Sequence, residues 1–265
     1  MNIIEVSHLV KKFNHHIVAV NDISFSVGKG EIFAFLGPNG AGKTTTIKIL
    51  TTLLHPTSGS VKLNGFNVVE NPNDTRKSFG IVFQDQSLDT ELTAYENMKF
   101  HAVLYGVPKA VYKPRIQELL TLVELWDRKD EIVSKFSGGM KRRLEIARGL
   151  LHHPSVLFLD EPTVGLDPQT RNLIWNYILD LNKKEGITIF FTTHYMEEAE
   201  RWAGRIAIID HGSIVTEGTA TELKARTGKD NLEDAFLELT GKVIRDEEAG
   251  SKDNMRTMSR AWGRR

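Results

Sequence analysis

Residues 37–44 have the composition of a phosphate-binding loop. The segment Gly37-Pro38-Asn39-Gly40-Ala41-Gly42-Lys43-Thr44 fits G-x-x-x-x-G-K-[ST] and follows an apolar run at 31–36. Its glycines let backbone N–H groups approach phosphate oxygens, and the helix expected to start here adds partial positive charge. Lys43 can reach the outer phosphates, and the Thr44 hydroxyl can hold Mg²⁺. Residues 37–45, ending with Thr45, are therefore predicted to bind a nucleotide rather than to form an ordinary glycine-rich turn.

Two adjacent acids end a second apolar run. Residues 156–159 read Val-Leu-Phe-Leu, and Asp160 and Glu161 follow them. In α/β proteins the carboxyl ends of the strands face the ligand crevice. We therefore expect Asp160 to hold Mg²⁺ and Glu161 to activate the water that attacks the γ-phosphate. By itself such a pair is more often a solvated strand end, but the loop at 37–44 favours the catalytic interpretation.

The spacing of apolar residues predicts an α/β frame into which a helical block is inserted. Apolar residues recur at helical spacing between about 92 and 152, and again in a short helix at 231–240. From about residue 245 the chain is polar and mixed in charge, which predicts a disordered tail over 241–265. Strands are predicted at 3–9, 17–27, 31–36, 61–63, 79–83, 156–159, 187–191, 205–209 and 213–215.

Composition excludes several classes of protein. Lysine and arginine number 34, as do aspartate and glutamate, so no net charge favours nucleic acid as a partner. The chain has no cysteine, which rules out disulfides and thiolate chemistry. The first residues lack the pattern of a signal peptide, and no apolar run reaches the ~18 residues of a membrane helix. We expect a chain that is soluble or peripheral to a membrane.

A second glycine-rich helix start selects among the families that use such loops. Ser137-Gly138-Gly139-Met140-Lys141 follows Phe136 and opens an apolar-striped helix. Its serine suits a helix N-cap and its glycines expose N–H groups, so it can bind an anion held by another subunit. The segment resembles the signature motif of ABC (ATP-binding cassette) proteins, usually written LSGGQ. Phe136 and Met140 depart from that motif, and the thioether loses a polar contact.

Further positions follow the order of the ABC family. By resemblance, Gln84 is the Q-loop glutamine, which contacts the metal and the attacking water. Asp167 belongs to the D-loop, His194 senses the γ-phosphate, and Phe13 stacks on adenine. The resemblance covers about residues 3–240. It implies a P-loop NTPase cassette in which a RecA-like core sheet carries an N-terminal antiparallel β subdomain and an inserted α-helical subdomain. It also implies one ATP-binding domain at 1–240, with ATP and Mg²⁺ as ligands.

The segments 136–148 and 160–168 look like those of the daunorubicin-resistance type of drug-export ATPase, as does the segment 231–241. That resemblance implies a separate ABC-2-type membrane permease as partner and a second copy of this chain in an ATP-sandwich dimer. It places the chain at the cytoplasmic face of the cell membrane. No nucleic-acid partner is expected.

Three other interpretations are open. An ABC ATPase that acts on a soluble macromolecular partner would normally carry coiled coils, zinc-binding cysteines or two cassettes. A GTPase would read guanine with Asn-Lys-x-Asp, which Asn182-Lys183-Lys184-Glu185 nearly matches at the end of a predicted helix. An inactive interaction module would not need Lys43, Asp160, Glu161 and His194. The run Lys141-Arg142-Arg143 is typical of a solvated helix face, and contact with a partner or with the membrane surface is the alternative.

Overall fold

Two β-sheets lie at the centre of the residues that the computed structural model describes, 1–13 and 17–241. Within those residues, an antiparallel sheet has the order β2-β1-β4-β5, and a mainly parallel six-stranded sheet has the order β10-β9-β3-β8-β7-β6. The predicted tail lies outside the described residues from 242 onward. The strands are β1 (Asn2–Phe13), β2 (Ile17–Gly28), β3 (Ile32–Leu36), β4 (Ser58–Leu63), β5 (Phe66–Asn67), β6 (Phe79–Val82), β7 (Val156–Asp160), β8 (Thr188–Thr193), β9 (Arg205–Asp210) and β10 (Ser213–Gly218).

Three helices and two 3-10 turns occupy the predicted helical block. The first of the three begins with a capping box, in which Thr93 and Glu96 bond each other's backbone N–H groups. The 3-10 turns are Trp126–Arg128 and Val133–Lys135. The helices of the described chain are α1 (Lys43–Leu50), α2 (Pro72–Ser78), α3 (Ala94–Leu104), α4 (Lys109–Leu122), α5 (Gly138–Gly149), α6 (Pro168–Glu185), α7 (Met196–Trp202), α8 (Ala220–Thr227) and α9 (Leu232–Thr240).

Both faces of the six-stranded sheet are covered, which explains its uninterrupted apolar strands. Along β3, Phe33 and Phe35 belong to a core shared with the antiparallel sheet and α1. Ala34 and Leu36 point the other way, into a core shared with α3 to α6. All four side chains are fully buried. A parallel sheet packed on both faces requires apolar residues at every position, as the run at 31–36 indicated.

The strand register brings three segments that carry predicted site residues to one edge of this sheet. Leu36, at the end of β3, pairs with Thr193, at the end of β8. Asp160, at the end of β7, pairs with Thr192 on the other side of β8. The residues that follow these strand ends are therefore neighbours: the glycine-rich loop after β3, Glu161 after β7 and His194 after β8.

Candidate nucleotide-binding site

The glycine-rich loop is shaped by close backbone approaches that exclude a side chain. A Cβ at Gly37 would lie 2.3 Å from the carbonyl oxygen of Ile209. Gly42 has φ +102°, and a Cβ there would lie 2.4 Å from the carbonyl oxygen of Ala19. Gly42 is also the N-cap of α1 and supplies no side-chain hydrogen bond, which leaves the first N–H groups of the helix for an anion.

The loop forms one wall of an open cleft with a cavity volume of ≈ 260 Å³. Most of the predicted loop residues, Gln84 and Glu161 are among its lining, so the structure brings these candidates together. The lining residues are Ala19, Asn39, Gly40, Ala41, Gly42, Lys43, Thr44, Thr45, Gln84 and Glu161.

Lys43 is held in the cleft by oxygen atoms from two segments. Its Nζ donates to the carbonyl oxygens of Gly37, at 2.8 Å, and Pro38, at 3.0 Å. It also lies 3.2 Å from Oε1 of Glu161. Burial lowers the pKa of Lys43, while the charges of Glu161 and Asp160 act in the opposite direction. A bound phosphate group would compete with Glu161 for this ammonium.

Asp160 and Thr44 converge as oxygen ligands would. Asp160 is 1 % exposed, and its Oδ1 accepts from Thr192 Oγ1 at 2.6 Å and Thr44 Oγ1 at 3.3 Å. A hydroxyl and a carboxylate suit Mg²⁺, which takes its remaining ligands from phosphate and water. Among the described residues, no group of three or more His, Asp or Glu side chains could hold a metal ion.

Glu161 has a constrained backbone and two basic neighbours, Lys43 and His194. Its φ is +49°, in the left-handed region that residues other than glycine rarely adopt. Its N–H is shared between the carbonyl and hydroxyl oxygens of Thr192. Nδ1 of His194 lies 3.2 Å from its Oε2, although not in hydrogen-bond alignment. Strain of this kind is typical of functional sites, and here it aims the carboxylate into the cleft.

Two predicted ligand residues stand apart from this cluster. Phe13 ends β1 half-buried, with Lys11 Nζ 5.0 Å from its ring centre, and is not among the described lining residues of the cleft. Asp167 caps α6, because its carboxylate accepts from the N–H groups of Gln169 and Thr170, both at 3.0 Å. A hydrogen bond from the Thr170 hydroxyl, together with these backbone bonds, lowers the pKa of Asp167. Their predicted contacts with a nucleotide remain predictions.

The signature-like segment begins α5 outside the cleft. Ser137 caps the helix by accepting from the N–H of Met140 at 3.3 Å, as predicted. A Cβ at Gly139 would lie 2.6 Å from Cγ2 of Thr170, so only glycine fits beside α6. Ser137, Gly138 and Gly139 are absent from the cleft's described lining. Met140 is 8 % exposed, and its sulfur accepts from Arg128 at 3.2 Å, so the departure from glutamine serves packing.

Sequence reasoning was wrong about the face of α5. Arg142 is 8 % exposed rather than solvated, and its guanidinium bonds backbone carbonyl oxygens near Glu161.

Residues of β8 and α7 were missed as well. Thr192 holds Asp160, and the buried Glu198 accepts from the hydroxyls of Thr163 and Thr193. The threonine pair at the end of an otherwise apolar strand was the only available signal.

Comparison with known proteins decides between the families that use such a loop. The family profile described as ABC transporter matches residues 20–164, more than half of the chain. The chain belongs to the ABC transporter family. As a member it is an ATP-hydrolysing, nucleotide-binding subunit that powers a transporter. The predicted resemblance to the family is confirmed, and so is the activity.

Curated relatives are ATP-binding proteins named for drug resistance and for Nod factor export. The doxorubicin resistance ATP-binding protein DrrA of Mycobacterium tuberculosis (strain CDC 1551 / Oshkosh) is 43% identical over 233 residues, which is 88% of this chain and 69% of the relative. The linearmycin resistance ATP-binding protein LnrL of Bacillus subtilis (strain 168) is 43% identical over 84% of this chain and 71% of its own length. The Nod factor export ATP-binding protein I of Burkholderia orbicola (strain AU 1054) is 41% identical over 87% of this chain and 75% of its own length.

Solved structures agree with the predicted fold class. An ATP-binding subunit of an ABC transporter superposes with a TM-score of 0.82 at 31% identity, covering 90% of this chain and all of that one. A dimeric ATP-binding cassette in a post-hydrolysis state, bound to ADP and Pi, superposes with a TM-score of 0.73 at 27% identity. The match covers 82% of this chain and 98% of that one. The ABC cassette fold is confirmed.

The GTPase-like residues end α6, where Asn182 donates to the carbonyl oxygens of Gly30 and Ile187.

Proposed function

We propose that this ABC subunit drives the export of drugs or other amphipathic compounds through a separate ABC-2-type permease at the cytoplasmic face of the membrane. Support for export comes from the relatives, which are named for doxorubicin, daunorubicin and linearmycin resistance and for Nod factor export. The observation that carries the ATP-driven part is the cluster in which Lys43 and His194 lie 3.2 Å from the two carboxylate oxygens of Glu161. Within the described residues, no helix has the length and apolarity to cross a bilayer.

The proposal treats residues 1–240 as one ATP-binding domain, with residues 92–152 as its inserted helical subdomain and 241–265 as a tail. Two copies pair head-to-tail, so that each ATP lies between residues 37–45 of one copy and Ser137 to Gly139 of the other. The dimeric cassette among the structural relatives supports this pairing. ATP bridges the copies and favours the closed dimer, and its hydrolysis removes the bridge.

In the proposed reaction the chain orients a water molecule against the γ-phosphate. Glu161 accepts a proton from that water, and Gln84 and His194 hold the water and the phosphate in line. Lys43 leaves Glu161 and binds the outer phosphates. Phe13 stacks on the adenine ring, and Asp167 lies at the paired surface. Thr44, Asp160 and Gln84 would hold Mg²⁺, which would neutralise the charge that develops on the phosphates.

An apolar patch on the helical block gives the permease a docking surface. Phe100, Val103 and Leu104 are 60%, 62% and 66% exposed. Their i, i+3, i+4 spacing puts them on one face of α3, and Val111 of α4 is also exposed. Contiguous exposed apolar side chains mark interaction sites. We assign this patch to a cytoplasmic segment of the permease, because α3 follows directly on the loop that carries Gln84.

The test compares two double variants in the native host. The tagged chain is purified from membranes in mild detergent, and stoichiometric partners are identified by mass spectrometry. A multi-span permease should accompany the wild type and the control Leu53→Ser/Val69→Ser, whose side chains are similarly exposed at 57% and 44%. Phe100→Ser/Leu104→Ser should lose the permease while it retains ATP hydrolysis.

Other partners would contradict the proposal. Recovery of ribosomes, nucleic acid or another soluble assembly in place of a permease would favour the alternative of an ABC ATPase with a soluble macromolecular partner. Recovery of a permease of another type would overturn only the ABC-2 assignment. Retention of the permease by Phe100→Ser/Leu104→Ser would place the docking surface elsewhere.

A further inference from the structure

Arg142 connects three segments that the proposed reaction uses. It lies in the second turn of α5, the helix that begins at Ser137. Its Nε donates to the carbonyl oxygen of Pro162 at 2.7 Å, and its Nη2 donates to that of Glu161 at 3.1 Å. Its Nη1 donates to the carbonyl oxygen of Phe83, the residue before Gln84. One buried guanidinium therefore joins the signature-like helix to the backbone on both sides of the cleft.

Two further side chains on the same face of α5 hold the other end of the Gln84 segment. Glu145 accepts from the N–H of Ser87 at 2.7 Å and from Arg142 at 3.2 Å. Arg148 donates to the carbonyl oxygen of Ser87 at 2.8 Å. The segment 84–86 is exposed and lies between these two anchors, so its position follows that of α5. Glu145 also compensates the charge of Arg142, which has 8 % exposure.

The connection to the catalytic strand is made at a strained point. Glu161 has φ +49°, and its carbonyl oxygen and that of Pro162 both accept from Arg142. A small displacement of α5 would therefore move the peptide groups on the C-terminal side of Glu161 and change where its carboxylate points. A misplacement of 1 Å at a reacting group can cost roughly 100-fold in rate.

We propose that Arg142 is a positioning residue that couples the two ATP sites of the dimer: when Ser137 to Gly139 bind the partner's nucleotide, Arg142 transmits the position of α5 to Gln84 and Glu161 of its own chain. This inference rests on the head-to-tail pairing proposed above. Occupancy of one site thereby sets the geometry of the other. Hydrolysis by the wild type is then cooperative in ATP, with a Hill coefficient above 1.

The variant Arg142→Met removes the hydrogen bonds and keeps an unbranched side chain. Arg143→Met is its matched control, because it removes the same charge from the adjacent position, where Arg143 bonds Val123 and Glu124 of the helical block. Rates of ATP hydrolysis are measured against ATP concentration, and binding of a non-hydrolysable ATP analogue is measured separately. Arg142→Lys is the second variant, in case the methionine impairs folding. A lysine cannot donate to the carbonyl oxygen of Phe83 and to those of Glu161 and Pro162 at the same time.

Arg142→Met and Arg142→Lys should lower kcat by roughly 10- to 100-fold and bring the Hill coefficient to about 1, with analogue affinity within about twofold of wild type. Arg143→Met should keep both the rate and the cooperativity. A non-cooperative wild type, unchanged kcat and cooperativity in the Arg142 variants, or an equal loss in Arg143→Met, would overturn the inference. Failure of the wild type to form an ATP-dependent dimer would instead refute the proposed pairing.

Discussion

Replacement of Glu161 by glutamine separates the binding of ATP from its hydrolysis. Oε1 of Glu161 lies 3.2 Å from Nζ of Lys43, and both side chains are buried. Glu161→Gln keeps the shape of the side chain but removes the charge and the ability to accept a proton from water. A general base contributes roughly 100- to 10,000-fold to a rate, which is about 2.7–5.5 kcal/mol of activation free energy.

The same substitution should strengthen ATP binding. Glu161 competes with phosphate for Lys43, and its negative charge repels the incoming polyanion. Loss of one charged hydrogen bond that must be broken on binding is worth about 1 kcal/mol, or roughly fivefold in Kd. Lys43 keeps the carbonyl oxygens of Gly37 and Pro38 as acceptors, so the fold should survive.

Three measurements on Glu161→Gln check this reasoning. Phosphate release gives the turnover rate, calorimetry gives the Kd for ATP, and light scattering after size-exclusion chromatography gives the mass of the complex with ATP. We expect almost no turnover, roughly fivefold tighter ATP binding and a stable dimer. Glu197→Gln, an exposed residue of α7, is the control and should behave as wild type. Near wild-type turnover in Glu161→Gln would refute the assignment of the base.

The remaining predictions concern neighbouring residues and acid stability. His194→Ala should lower kcat roughly 100-fold with little change in the Kd for ATP, because it removes one positioning group beside Glu161; an equal loss of binding would contradict this role. Gly42→Ala should abolish ATP binding, since its Cβ would meet a backbone oxygen at 2.4 Å, whereas Gly204→Ala, with 3.6 Å of space, should bind normally. Burial, with lesser effects of Arg148 and His152, lowers the pKa of His101 to about 3, and burial lowers that of His152 to about 4, both from 6.5. Below pH 6.5 the unfolded chain therefore binds protons that the folded chain does not, and the free energy of unfolding should fall by about 1.4 kcal/mol per pH unit for each histidine. Denaturant titrations at pH 7.5 and 5.0 should show roughly half this pH dependence in His101→Phe, and an unchanged dependence would disprove the assignment.

Much of the fold could be predicted because its apolar patterns are long and uninterrupted. The run at 31–36 required a sheet packed on both faces, and β3 has that environment. Short polar elements gave no comparable signal. Helix α2 has the sequence Pro-Asn-Asp-Thr-Arg-Lys-Ser, without an apolar stripe, and β5 has two residues. Their formation depends on contacts that only the folded chain supplies, such as the bond from Arg76 to Thr52.

The site residues were predictable where the chemistry of the ligand requires one residue type. They were less predictable where a residue's role depends on backbone atoms that only the fold brings near it. Lys43, Asp160 and Glu161 follow from the needs of a phosphate and a metal ion, and the structure brings them to one cleft. Arg142 looked like one member of a solvated basic run. Its true environment depends on the carbonyl oxygens of Phe83 and Pro162, which follow two different strands and are distant in sequence. No local sequence pattern indicates these contacts.

The most direct test of the account is whether the glycine-rich loop of one copy meets the signature-like segment of another across ATP. The chain has no cysteine, so single cysteines can be introduced without other changes. Asn39→Cys and Gly138→Cys, two exposed positions, are made in separate chains that also carry Glu161→Gln, and the chains are mixed and oxidised. The account predicts a disulfide-linked dimer between the two kinds of chain that forms with ATP and not without it. ATP binding without any such cross-link would contradict the account.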